Sequence, residues 1–127
     1  MIDNRATVER AFMAQFAGDI DGATADLADD AVVEWPQSGE RIVGKQACTL
    51  VYKNYPGGPP GYVLRRISGS GDVFVVEATG QYGADTVYTT SIVEFRDGKI
   101  AKQTDYFASP FEAPAWRSQW VEHIKPV

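Results

Sequence analysis

A single cysteine, Cys48, and a single histidine, His123, stand in this chain of 127 residues. One thiol excludes an internal disulfide and a site built on several thiolates, and one imidazole excludes a histidine-rich metal centre. Neither a metal nor a cofactor is expected. Basic residues are also short, since 12 Lys and Arg against 17 Asp and Glu leave a net charge of −5. Affinity for a phosphate backbone comes mainly from clustered Lys and Arg, so nucleic acid is not an expected partner. No apolar run approaches the roughly 20 residues that cross a bilayer. Asp3, Asn4 and Arg5 lead into a helical pattern where a signal peptide would carry an apolar stretch. The expectation is a cytoplasmic chain with no membrane partner.

What is present is an ordinary globular balance, 44% hydrophobic and 23% charged residues. That length and balance suit one domain spanning residues 1–127. Val8, Phe12 and Phe16 recur at four-residue spacing and predict a helix from Arg5 to Phe16, capped by Asp3 or Asn4 and ended by Gly18. Asp21 is placed to cap a second, shorter helix through Ala23 and Leu27. Ala31 to Trp35 reads as a strand stopped by Pro36, and Gln37 to Gly44 as a loop. Ala47, Val51 and Tyr55 mark a third helix, closed by the Pro and Gly residues from Pro56 to Gly61.

From Tyr62 the period changes to two. Strands are predicted over Tyr62–Ser68, Val73–Tyr82, Thr86–Arg96 and Lys99–Ala108, most simply an antiparallel meander. The clearest local signal is Arg96-Asp97-Gly98-Lys99, because Asp-Gly between apolar runs favours a tight turn with positive φ. Trp116, Trp120 and Ile124 at four-residue spacing suggest a short terminal helix that staples the tail to the body or to a partner subunit. Helices followed by a meander argue an α+β fold with helices covering one face of a curved sheet.

On the last strand, alternation puts Ala101, Gln103, Asp105 and Phe107 on one face. Asp105 thus lies between apolar neighbours near a strand end. In an apolar cavity its pKa would rise by desolvation, as a general acid or base near neutral pH requires; at a solvated sheet edge it would be structural. Glu77 is the other acid in an apolar strand, and if it faces inward it could pair with Asp105 and push the two pKa values apart. Trp35, Tyr52, Tyr55, Tyr88 and Phe107 are candidates to line a pocket, with Gln103 or a tyrosine orienting a substrate oxygen. Cys48, with no basic group nearby in sequence, reads as a small buried hydrophobe, and His123 as a surface residue. The segment Gly57–Gly61 reads as a loop that could serve as a pocket lid.

Three signatures in this order resemble the SnoaL-like branch of the NTF2-like superfamily. They are Gly18-Asp19-Ile20-Asp21-Gly22 ahead of Asp29-Asp30-Ala31-Val32-Val33-Glu34-Trp35-Pro36, then Gly44-Lys45-Gln46-Ala47, then Phe95-Arg96-Asp97-Gly98-Lys99-Ile100 followed by Asp105-Tyr106-Phe107. The resemblance implies an NTF2-like cone, N-terminal helices packed on a curved antiparallel sheet with an apolar internal pocket, and often a homodimer through the outer sheet face. Asp105 before two aromatics matches the acid that cyclase and epoxide-hydrolase relatives carry on this strand. Ketosteroid isomerases place their base where Trp35 stands here and use a first-helix tyrosine that this chain lacks. The epoxide-hydrolase pattern adds an Arg and a second Asp on the middle strands, which here carry Glu77 and Gln81. The expected ligand is a small hydrophobic organic molecule. Two readings stay open: a cofactor-free isomerase, cyclase or hydrolase using Asp105 as acid/base, or a non-catalytic binding or carrier module. A protein-interaction adaptor using the outer sheet face is a third.

Overall fold

A computed structural model of the chain describes residues 3–57 and 61–125. Its elements are α1 (Asn4–Phe16), α2 (Ile20–Thr24), β1 (Leu27–Trp35), β2 (Glu40–Val43), α3 (Lys45–Lys53), β3 (Gly61–Ser70), β4 (Val73–Tyr82), β5 (Asp85–Arg96) and β6 (Lys99–Ala108). The strands form one sheet of order β2-β1-β6-β5-β4-β3. β3 to β6 are the expected antiparallel meander, whereas β1 joins β6 in parallel. The fold is α+β, with the three helices and the hydrophobic core gathered on one sheet face.

Capping sets the helix starts. The Asp3 carboxylate accepts from the Ala6 amide at 3.1 Å and caps α1. Val8, Ala11 and Phe12 face the core from this helix. Asp19, two residues ahead of the expected Asp21, caps α2 through the Gly22 amide at 3.0 Å, and the helix stops at Thr24. Leu27 is free to begin β1 because Ile100 on β6 accepts it as a partner. β2 went unseen as a loop for a simple reason: four residues with only Ile42 buried carry no readable period. Gly58, Pro59 and Pro60 of the expected lid loop lie outside the described residues.

The terminal helix is a 3₁₀ helix, Ala115–Trp120. At three residues per turn, side chains four apart point about a third of a turn away from each other, so Trp116 and Trp120 do not share a face. Both are exposed, at 73% and 72%, and neither staples the tail onto its own body.

Bulges decide which residues the sheet turns inward. The hairpin turn forms as expected, with Asp97 and Gly98 at φ 52° and 78°. Phe95 pairs with Ile100, but Glu94 pairs with Lys102, so Ala101 is an extra residue on β6. Ile100 and Gln103 therefore both face inward although three positions separate them. A second bulge at Arg65 lets Leu64 face inward opposite Ala78 while Arg66 faces outward opposite Glu77. The core beneath the helices is closed by Val8, Val33, Val76, Val93 and Ile100, each 2% exposed or less.

Gly80 is required by contact rather than by turn geometry. A Cβ there would lie 2.5 Å from the Tyr62 ring, which is itself stacked on Phe16 at 5.0 Å. Replacing Gly80→Ala is therefore expected to cost about 1–3 kcal/mol, the usual range for overpacking, in urea denaturation. A change below about 0.5 kcal/mol would show that the Tyr62 ring yields freely.

Candidate functional site

Between the sheet and the helices lies a cavity of about 350 Å³. Its walls are apolar where Phe12, Ile20, Trp35, Val87 and Phe107 reach it, and polar where tyrosines and the β5–β6 pair do. Asp105 stands in the wall, 7% exposed, carried there by the β6 alternation beyond the Ala101 bulge. Ser91 lies directly opposite it on β5 and donates to Asp105 Oδ1 at 2.6 Å. Gln103 Nε2 donates to the same oxygen at 2.8 Å, and Trp35 Nε1 donates to Oδ2 at 2.9 Å. Trp35 is held in place edge-on against Phe107 at 6.1 Å.

Two opposed effects set the ionisation of this carboxyl. Burial raises its pKa, and the donors from Ser91, Gln103 and Trp35 hold it down; burial prevails and the net direction is upward. The oxygens are not equivalent. Oδ1 accepts two hydrogen bonds and Oδ2 one, which leaves Oδ2 the atom with capacity to take a proton from the cavity. Tyr52 of α3 lines the same space, and burial, followed by the charge of Asp105, pushes its hydroxyl well above the ordinary tyrosine range. It remains a neutral donor.

At another part of the wall three tyrosine hydroxyls meet. Tyr55, just beyond α3, donates to Tyr82 at 2.8 Å, and the Tyr82 and Tyr62 hydroxyls are 3.0 Å apart. Burial comes first in raising each of the three, and Tyr55 and Tyr82 are pushed up to about 12.

Of the residues singled out in the sequence, Asp105, Trp35, Tyr52, Tyr55, Gln103 and Phe107 are brought together around this cavity. Glu77 and Tyr88 are not. Glu77 faces outward and pairs with Arg66 at 2.5 Å, and Tyr88 lies outward between Thr79 and Ala108. Their inward neighbours on the same strands, Val76 and Ala78 on β4 and Val87 and Thr89 on β5, occupy the face they were expected to share. Cys48 is buried in α3 with its thiol pushed upward by desolvation, and His123 is exposed in the tail, away from the cavity.

The sequence reading missed Ser91, Tyr62 and Tyr82. Without the Ala101 bulge, counting back from the Asp97-Gly98 turn pairs Asp105 with Thr90, so Ser91 could not be found in that way. Tyr62 and Tyr82 had a weaker but available signal, since each ends a strand near the same rim of the meander.

Because the folded-state pKa of Asp105 is raised, its ionisation opposes folding. The cost is absent below the ordinary value of 3.8, grows as pH rises from there to the folded value, and is constant above it. Subtracting the unfolding free energy of Asp105→Asn from that of the native chain isolates this term. The difference is expected to fall as pH rises from about 4 in denaturation series. A difference that grows with pH would mean that the three donors outweigh burial.

Comparison with known proteins agrees with this architecture. A family model described as SnoaL-like domain matches residues 8–103. The structure of an NTF-2 like protein of unknown function from Burkholderia xenovorans is 42% identical, with a TM-score of 0.87 over 96% of this chain and 95% of that one. A proposed ketosteroid isomerase from Kribbella flavida is 25% identical, with a TM-score of 0.89 over 97% and 90%. An LEH-like epoxide hydrolase from M. tuberculosis is 28% identical, with a TM-score of 0.67 over 81% and 80%. No curated protein matches the chain. With the family model covering most of its length, and the helix-covered six-stranded sheet in place, the chain belongs to the SnoaL-like family of NTF2-like proteins.

Proposed function

We propose that the cavity binds a small, largely apolar organic molecule and that Asp105 moves a proton on it without a cofactor, as in an isomerisation, a cyclisation or the addition of water. One observation carries this reading: a buried carboxylate of raised pKa whose Oδ2 keeps acceptor capacity toward an apolar cavity. Oδ2 takes the proton. Ser91, Gln103 and Trp35 hold the carboxylate in one orientation, which is what a proton-transfer group needs in order to meet its substrate repeatedly in the same geometry. The Tyr52 hydroxyl, kept neutral by burial, is available to donate to an oxygen on which negative charge develops. The likeness to one proposed isomerase and one epoxide hydrolase-like protein supports chemistry at a ketone or an epoxide.

A second reading is favoured by a specific feature. Asp105 is the lone carboxylate among the described lining residues, so the cavity holds no second acid to complete an acid/base pair. On that reading the chain is a binding or carrier module, and Asp105 orients the ligand without reacting.

Two copies are inferred to pair through the outer sheet face. Val63, Val73 and Tyr106 are exposed there, at 60%, 49% and 44%, which supports that expectation. Sedimentation equilibrium distinguishes one copy from two. The outward ion pair between Arg66 and Glu77 would lie on the same face.

The deciding experiment incubates the protein in D₂O with apolar ketones and epoxides sized to the cavity and follows products and deuterium uptake by mass spectrometry. Conversion or exchange by the native chain, reduced about 10²–10⁴-fold in Asp105→Asn, is the expected result for a proton-transfer group. Full turnover in that variant would sink the catalytic reading, and retention of a compound unchanged by both proteins would establish the carrier. Trp35→Phe removes the donor on Oδ2, so the acid limb of kcat/KM is expected to move up by on the order of one pH unit. An unmoved limb would mean that this hydrogen bond does not reach the ionising oxygen.

A further inference from the structure

We infer that the cavity reads its ligand at two ends, and that the Tyr55–Tyr82–Tyr62 hydroxyl chain is the second anchor, presenting one hydrogen-bond donor to an uncharged oxygen remote from Asp105. The ligand class is then a neutral, mainly apolar molecule oxygenated at both ends, such as a diketone or a keto-alcohol. This rests on the small-molecule reading above and narrows it.

Proton counting carries the argument. The three hydroxyls bring three donor hydrogens, and the two contacts between them use two. Tyr55 spends its hydrogen on Tyr82. If Tyr82 donates to Tyr62, the Tyr62 hydrogen is left over; if Tyr62 donates to Tyr82, the Tyr82 hydrogen is. In either arrangement one donor remains unspent within the group, on a side chain that lines the cavity. Because the hydroxyls are linked in a chain, each polarises the next and the terminal donor is strengthened.

Position makes this a second end rather than part of the Asp105 site. Tyr62 packs on Gly80, and Gly80 pairs with Val87 of β5. Ser91, which holds Asp105, is four positions further along β5, roughly 13 Å at the rise of an extended strand. Val87 and Thr89 line the wall between them. Charge narrows the class further. Among the described residues lining the cavity there is no Lys, Arg or His, while Asp105 is an acid. An anionic ligand would be desolvated with no counter-charge, so a neutral acceptor oxygen is selected. The tyrosines stay protonated at neutral pH, as their elevated ionisation requires.

Isothermal titration with trans-decalin-2,6-dione, 2-decalone and decalin provides the test, using the native chain, Tyr55→Phe and the triple variant Tyr55→Phe/Tyr62→Phe/Tyr82→Phe. The native chain is expected to prefer the dione over the monoketone by about threefold to tenfold, the worth of one neutral hydrogen bond. Tyr55→Phe keeps an unspent donor in the remaining pair and should retain that preference. The triple variant keeps no hydroxyl of the group and should bind dione and monoketone alike. The proposal is overturned if the native chain binds none of the probes or shows no preference, if the triple variant keeps the preference, or if Tyr55→Phe loses it. Thermal melts confirm that each variant folds. Should the triple variant not fold, the carbonyl stretches of the dione bound to the native chain are read by infrared spectroscopy, and bands unshifted from those in an apolar solvent overturn the proposal. Turnover is not read here, so an Asp105→Asn variant of unchanged activity would remove the catalytic reading and leave this comparison intact.

Discussion

The carboxylate of Asp105, buried at 7% exposure and gripped by Ser91, Gln103 and Trp35, is the constraint to which the rest of the cavity is fitted. An acid in an apolar wall is tolerable only if its lone pairs are met, and three donors on three strands meet them here. Each donor fixes a piece of the sheet. Ser91 ties β5 to β6 across the hairpin, Gln103 sets the near end of β6, and Trp35 brings in the end of β1, which reaches β6 only because those two strands run parallel. The same grip gives the site its chemical asymmetry, with one oxygen saturated and the other open.

Around that grip the cavity divides its labour by residue type. Helices α1 and α2 contribute apolar surface through Phe12 and Ile20, and α3 contributes Tyr52. The sheet contributes the polar groups that need fixed positions. Strands place side chains more rigidly than loops do, because each is held by ladders on both sides, so a buried carboxylate and its orienting donors are best carried on them. Ion pairs such as Arg66 with Glu77 and Lys102 with Glu34 stand on the other face, where water screens them and they contribute little to stability. One sheet thereby presents a buried face that lines the cavity and a solvated, charged one.

The identity of the relatives bears on how far fold speaks for activity. One architecture accommodates a proposed isomerase and an epoxide hydrolase-like protein, so activity is carried by the few polar groups in the cavity rather than by the sheet. In this chain Trp35 donates to the acid from the position where the resemblance puts another acid in the isomerases. A donor there tunes and holds Asp105; an acid there would have competed with it for the proton.

Much of this was legible in order along the chain. Period-four apolar spacing marked α1 and α3, period-two spacing marked the meander, Asp97-Gly98 marked the hairpin, and Asp105 was marked by standing between apolar neighbours. These are local properties, set by backbone sterics and by which side chains avoid water, and a sequence carries them whatever the rest of the chain does. What only the tertiary structure decided was pairing. Plain alternation along β4 and β5 turned Glu77 and Tyr88 outward, opposite to the facing expected of them, and the bulge at Ala101 shifts β6 by one residue, which turned Asp105 inward and set Ser91 rather than Thr90 against it. The tyrosine chain arose in the same way, from three residues of separate segments whose hydroxyls meet only once the sheet has curved beneath the helices. Local pattern determined which residues could fill a cavity, and long-range packing determined which of them faced it.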